Sequence, residues 1–286
     1  MSRPLRIEYP GALYHITTRG NKKQSIFIDD FDRVLFLQIL AETIKIHHWS
    51  CYAYCLMGNH FHLLIETIDP TLSAGMHRLN GIYTQRYNKK HNTVGHVFQG
   101  RFHTVLVEKE LYLLEISRYI VLNPVRAGLV VHPKEWRWSS YCATAGLINS
   151  PKFLSKDALI SCFTDDQWQA QQSYISFVAD RMENTSPFDD VQHGMTLGSP
   201  QFVHSVWEQK ENIGALKDIS REQRMLGRLS LEEIFLDTQS KKDRDKAIYL
   251  ARNVCAYSHA QIGRFLGLSA STISDIVNGK NRRSKA

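Results

Sequence analysis

Apolar positions recur along this chain with two periods, and their succession predicts the organisation of its first half. Ala12 to Thr18 is a β-type run closed by the turn residues Arg19-Gly20-Asn21, and Thr104 to Val107 is a shorter one. Trp49 to Met57 and His60 to Glu66 are strand-length runs joined across Gly58-Asn59, which predicts a hairpin. Three other stretches have helical spacing. Asp29 to His48 carries apolar residues at Phe31, Val34, Leu35, Leu37, Ile39, Leu40 and Ile44, and Thr71 to Lys90 has Leu72, Met76, Leu79, Ile82 and Tyr83 on its inner side. Glu110 to Leu122 is the third, with Pro124 expected to end it. The order strand, helix, strand, strand, helix, strand, helix predicts an α+β fold, the ferredoxin-like βαββαβ unit, with two helices on one face of an antiparallel sheet. The added helix is free to lie across the open face.

The pattern thins in the middle. Leu154, Leu159, Ile160, Phe163, Trp168, Tyr174, Phe177 and Val178 have helix-like spacing, whereas Ser186-Pro187-Phe188 and Gly194 to Pro200 read as loops. A mainly helical connector over 146–239 is expected, with no derivable role for Leu197-Gly198-Ser199-Pro200-Gln201-Phe202-Val203. Periodicity returns from Lys241 to Ala256, an amphipathic helix with Ala247, Ile248, Leu250, Ala251 and Val254 on one side. Ser258 with Gln261 forms a capping box for a second helix, Gly267 breaks it, Ser269 caps a third and Gly279 ends that one. Such spacing predicts a helix-turn-helix over 240–286.

Charge separates the same three segments. Residues 1–150 hold 17 Lys/Arg against 11 Asp/Glu, residues 151–239 hold 8 against 14, and residues 240–286 hold 10 against 3. Two basic segments flanking an acidic one point to two polyanion-binding surfaces, and a solvated charged face is hardest to argue for the last, which lacks Glu altogether. At 286 residues the chain has room for two or three domains. No apolar stretch reaches membrane-span length and no signal-peptide pattern opens the sequence, so no membrane role is expected. Cys51, Cys55, Cys142, Cys162 and Cys255 are scattered, and no second pair follows Cys51/Cys55 at zinc-site spacing. Reduced, packed thiols are expected.

Candidate chemistry starts at His60-Phe61-His62. On a strand the two imidazoles share a face while Phe61, Leu63 and Ile65 point to a core, and rings about 7 Å apart along one face can share a metal ion. By itself such a pair on a strand is structural more often than catalytic. Tyr119 and Asn123 lie four apart on one helix face, adding a phenol and an amide oxygen, the combination needed for nucleophilic attack on a phosphodiester. Tyr83 and Tyr87 have the same spacing beside Arg86, Lys89 and Lys90, so spacing alone does not choose the nucleophile. Gly95, Gly100 and Arg101 form a glycine-bearing basic loop suited to a DNA backbone. His15, His47, His48, His91 and His96 have no evident partners. A zinc hydrolase built on His60 and His62 is also conceivable, but it lacks a nearby carboxylate base or a further well-spaced histidine.

Five motifs occur in order: Glu8 to His15 (EYPGALYH), Met57 to His62 (MGNHFH), Phe98 to Phe102 (FQGRF), Tyr119 to Gly128 (YIVLNPVRAG) and Trp138 to Tyr141 (WSSY). Together they resemble the single-tyrosine HUH transposases, in particular the REP-associated, IS200-like branch, over about residues 1–145. The resemblance implies Tyr119 as nucleophile, because it precedes the Asn-Pro pair of the family's nucleophile helix, and a 5′-phosphotyrosyl intermediate with a free 3′-OH. It implies Mg2+ or Mn2+ held by His60, His62 and Asn123, although many relatives carry Gln at the third position. It further implies a bacterial, cytoplasmic, nucleoid-associated protein, monomer or homodimer, that takes single-stranded or hairpin DNA at residues 1–145, with Arg19, Gly100, Arg101 and Arg126 as DNA contacts. Arg244 to Arg252 (RDKAIYLAR) is similar to the DNA-binding domain of the replication initiator DnaA. Ser271, Thr272, Ser274 and Asn278 would then face a duplex groove, with Lys280, Arg282, Arg283 and Lys285 on phosphates. The rival from another class is a domesticated DNA-binding regulator that keeps the fold without the chemistry.

Overall fold

The computed structural model describes residues 7–180, 186–191, 195–206, 230–236, 238, 240–253 and 257–277. Strands β1 (Ala12–Arg19), β2 (Trp49–Leu56), β3 (His60–Thr67) and β4 (His103–Val107) form an antiparallel sheet in the order β2-β3-β1-β4. The β2–β3 turn is the expected Gly58-Asn59, closed by Met57 N–H donating to His60 O at 2.9 Å. Helices α1 (Asp30–His47) and α2 (Leu72–His91) cover one face. There Phe36, Ile39 and Leu40 of α1 and Met76, Leu79 and Tyr83 of α2 meet Ile16, Phe61, Leu63 and Ile65 of the sheet. Asp29 and Asp32 form a reciprocal capping box at the start of α1, and the buried Asp32 carboxylate also takes Lys90 at 2.8 Å, tying α1 to the end of α2.

Helix α3 (Lys109–Arg126) lies on the opposite face, with Leu113, Ile116, Ile120 and Val121 packed on Leu13, Leu64, Val105 and Val107. It does not stop at Pro124. A proline there has no N–H for the Ile120 carbonyl. Asn123 supplies a substitute, because its Nδ2 donates to Ile120 O at 3.3 Å and to Tyr119 O at 2.9 Å, and Arg126 Nη1 adds a bond to Tyr119 O at 3.0 Å. With those carbonyls satisfied the helix runs on to Arg126.

The middle segment departs from the expected connector. Helices α4 (Tyr141–Thr144), α5 (Lys156–Ile160) and α6 (Gln167–Ala179) place Tyr141, Leu159, Tyr174 and Val178 in the core beneath α3. A 3-10 turn (Pro187–Asp190) follows, and then β5 (Thr196–Leu197) pairs in parallel with β4, at a place that reads as loop because two residues carry no period. The Leu197-Gly198-Ser199 run acquires a role here. Glu108 N–H donates to Leu197 O at 2.8 Å, while the Glu108 carboxylate accepts from Ser199 N–H at 2.5 Å. A Cβ on Gly198 would lie 2.4 Å from the Phe202 ring, so only glycine fits. The chain then enters α7, described over 200–206.

A separate small core gathers α8 (Leu231–Phe235), α9 (Lys241–Asn253), α10 (His259–Leu266) and α11 (Ala270–Val277) around Ile248, Ala251, Ile262 and Ile273. Ser258 and Gln261 make the expected capping box, Gly267 ends α10 at φ +67°, and Ser269 Oγ accepts from Thr272 N–H. Asn278, Gly279, Lys280, Arg282, Arg283 and Lys285 lie outside the described residues. Among the described residues no helix is long and apolar enough to cross a membrane.

Candidate active site

Antiparallel register decides what surrounds the histidine pair. His60 stands opposite Arg19, and His62 stands between Thr17 on β1 and Cys55 on β2, all on the α3 face of the sheet. Phe61, Leu63 and Ile65 point the other way and are fully buried. The two imidazole rings are 5.0 Å apart, centre to centre. Helix α3 brings the Tyr119 ring to 6.2 Å from His62, so His60, His62 and Tyr119 converge, with Asn123 one helical turn further on.

Burial controls the ionisation of the group. It holds the His60, His62 and His15 imidazoles below their usual pKa, His15 at about 3, so all three are neutral with lone pairs available near neutral pH. It raises the Tyr119 phenol, and the Arg126 guanidinium, 4.6 Å above the ring centre, works in the opposite direction. Arg126 keeps one buried donor, its Nε, without a partner.

Three side chains near Tyr119 carry donor atoms that a cation could use. His60 Nδ1 donates to Asn59 Oδ1 at 2.7 Å, which leaves Nε2 as its lone pair. His62 Nε2 is buried and unpartnered, an atom that costs free energy unless something binds it. Asn123 spends its amide nitrogen on the helix, which leaves its oxygen. Among the described residues no three His, Cys, Asp or Glu side chains cluster as a metal site. Two imidazoles and one neutral oxygen therefore fit a divalent ion that keeps most of its positions for other ligands.

The competing tyrosines sit elsewhere. Tyr83 and Tyr87 belong to the core on the α1/α2 face, where they donate to Ile26 O and Ser25 O. The basic loop bonds to the end of β1. Gln99 N–H donates to Arg19 O at 2.8 Å, and the loop continues through Gly100, at φ +66°, to the exposed Arg101. This places Arg19 beside His60, with Gly100 and Arg101 at its margin, while Arg126 lies against Tyr119. Ser271, Thr272 and Ser274 are on α11, in the separate small core, where Ser271 and Thr272 hydroxyls lie 2.8 Å from Ser269 Oγ.

Two residues of the site were not anticipated from sequence. His15, expected to be structural or at the surface without a partner, has its Nε2 2.9 Å from His62 Nδ1. The alternation Leu13, His15, Thr17 on β1 puts His15 on the right face, but only the β1–β3 register makes it a neighbour of His62. Phe188, expected in a loop, stacks on His15 at 4.7 Å and meets Tyr119 edge-on at 4.9 Å. No periodic signal surrounds it.

A family model described as "Transposase IS200 like" matches residues 9–123, the stretch that holds the sheet's first four strands, both histidines and Tyr119. Residues 9–123 thus resemble an IS200-like transposase domain. The chain is similar to a Haemophilus influenzae protein named "Putative REP-associated tyrosine transposase", at 25% identity over 143 residues that cover 46% of the chain and 80% of that relative. Among solved structures, one titled "Structure of the REP associates tyrosine transposase bound to a REP hairpin" aligns with a TM-score of 0.44 and 15% identity, over 54% of the chain and 92% of that structure.

Proposed function

We propose that the chain is a metal-dependent, single-stranded DNA endonuclease and transposase that cleaves and rejoins DNA, in hairpins or REP-like repeats, with Tyr119 as nucleophile. The observation that carries this is the convergence of the Tyr119 ring on His62, whose buried Nε2 has no partner. Tyr119 Oη attacks the scissile phosphorus, its proton is lost, a phosphotyrosyl bond forms at the 5′ side, and the departing 3′ oxygen leaves as a hydroxyl. The covalent link preserves the phosphoester for rejoining. His60 Nε2, His62 Nε2 and the Asn123 side-chain oxygen would hold Mg2+ or Mn2+, which supplies charge neutralisation at the phosphate when bound. Arg126 lowers the cost of the phenolate and offers its free Nε to a phosphate oxygen. Arg19 and the Gly100-Arg101 loop would bind the DNA backbone alongside.

The rest of the chain fits this scheme. The order β2-β3-β1-β4, with α1 and α2 on one face, supports a ferredoxin-like sheet as the catalytic scaffold. The catalytic unit comprises residues 1–145 together with the packed part of 146–206, and 240–286 forms a helix-turn-helix for duplex DNA. Ser271, Thr272, Ser274 and Asn278 would approach base edges, while Lys280, Arg282 and Arg283 would meet phosphates.

The test is incubation with single-stranded hairpin DNAs and Mn2+ or Mg2+, followed by denaturing electrophoresis. A covalent adduct is expected from the parent and from Tyr83→Phe but not from Tyr119→Phe, which should still bind the hairpin. Adduct retained in Tyr119→Phe, or full activity in EDTA, would remove this assignment.

A further inference from the structure

We infer that His15 is a positioning residue that sets the tautomer of His62, keeping its Nε2 lone pair free to bind the cation; this rests on the metal role proposed above for His62. The two rings lie within 8° of one plane with centres 5.2 Å apart, and their facing nitrogens are 2.9 Å apart. Coplanar rings joined edge to edge by an N–H···N bond give this geometry, whereas stacked rings would show no such short in-plane contact.

A neutral imidazole carries one proton on one of two nitrogens. If it sat on His62 Nε2, the side facing the candidate cation site would be a donor, and no cation could bind there. A buried acceptor at Nδ1 draws the proton to that side instead. With its own proton on Nδ1, His15 offers Nε2 as that acceptor, held on a neighbouring strand of the same sheet. His15 is itself braced, with Phe188 stacked at 4.7 Å and Val105 opposite it across β1–β4. His60 reaches the same state by another route, since its Nδ1 proton is taken by Asn59 Oδ1. Both imidazoles thereby present Nε2, each fixed by a partner on its far nitrogen, as ligating histidines require.

The test uses the full chain and two readouts. The first needs no metal: 15N chemical shifts of the His62 ring should show Nδ1 protonated in the parent and in His15→Gln, whose side-chain oxygen can accept the same proton. In His15→Leu the Nε2-protonated form should appear. The second is Mn2+ binding followed by electron paramagnetic resonance. His15→Leu should weaken it on the order of 10–100-fold, whereas His15→Gln stays within a few-fold of the parent. Leucine is apolar and similar in size at a buried position, so thermal unfolding should confirm that His15→Leu is folded. Parent-like Mn2+ affinity in His15→Leu, together with lost affinity in His62→Ala, would overturn the role of His15 alone. Unchanged affinity in His62→Ala would overturn the metal site with it, and a parent His62 protonated on Nε2 would overturn the tautomer assignment directly.

Discussion

Asn123 illustrates how one side chain serves both backbone and site. Its amide nitrogen covers the Ile120 carbonyl that Pro124 would leave open and also reaches the Tyr119 carbonyl, while its oxygen is not engaged in those bonds. Asn123→Ala should therefore lose about 1 kcal/mol of stability, seen as a lower unfolding midpoint. Metal-dependent cleavage should fall less than in His60→Ala or His62→Ala, because water can occupy an oxygen position but cannot replace an imidazole held by the sheet. Equal loss in all three variants would contradict this ranking. His47 offers a pH test on the other side of the sheet. Burial pushes its imidazole down to about 4 from an ordinary 6.5, with the nearby Arg78 and His48 charges acting in the same direction. The folded state thus binds fewer protons than the unfolded chain below pH 6.5, and the stability present above that pH is lost as pH falls toward about 4. Relative to His47→Met, the parent should lose up to about 3 kcal/mol more between pH 7 and pH 4, measured by urea unfolding at each pH.

At the scale of elements, the packed unit does not end where the family match does. Leu159, Tyr174, Val178 and Leu197 are buried under α3, and Arg118 of α3 donates to Phe177 O at 3.0 Å. A chain cut after residue 145 would uncover the back of the helix that carries Tyr119. It should unfold at lower temperature and lose adduct formation, whereas a chain ending near 206 should retain both. Thermal unfolding and adduct yield of the two truncations decide between these outcomes. Phe188 sharpens the expectation, because Phe188→Ala removes ring contacts to both His15 and Tyr119. Adduct formation should slow while the unfolding temperature changes little. The strands and first two helices were legible because each has one buried face, which imposes a period of two or of nearly four. β5 was not legible: it pairs through backbone groups over two residues, and the partner edge that satisfies them is ninety residues earlier.

For the whole molecule, the charge map and the packing separate two units, a sheet with its covering helices and the α8–α11 core, each built on its own apolar cluster. Removing residues 240–286 should lower duplex affinity and flatten its salt dependence, since counterion release scales with phosphate contacts. Hairpin cleavage should survive. Duplex binding at several salt concentrations, beside hairpin cleavage, measures both; loss of cleavage with duplex binding intact would make the tail part of the catalytic unit.

Local chemistry by itself determined much of this protein. The hairpin at Gly58-Asn59, the capping box at Ser258 and Gln261, and the shared face of His60 and His62 follow from turn residues, helix-end donors and strand alternation within a few positions of one another. Tertiary structure set the tyrosines apart in space, since Tyr83 and Tyr119 have similar helical settings but their helices cover opposite faces of the sheet. The length of α3 was settled within the helix, where Asn123 Nδ2 donates to the Ile120 carbonyl that Pro124 leaves without an N–H. The pairing of His15 with His62 was decided by tertiary structure. Those residues are separated by 47 positions, and no short-range pattern encodes a register that two strands settle only when they meet.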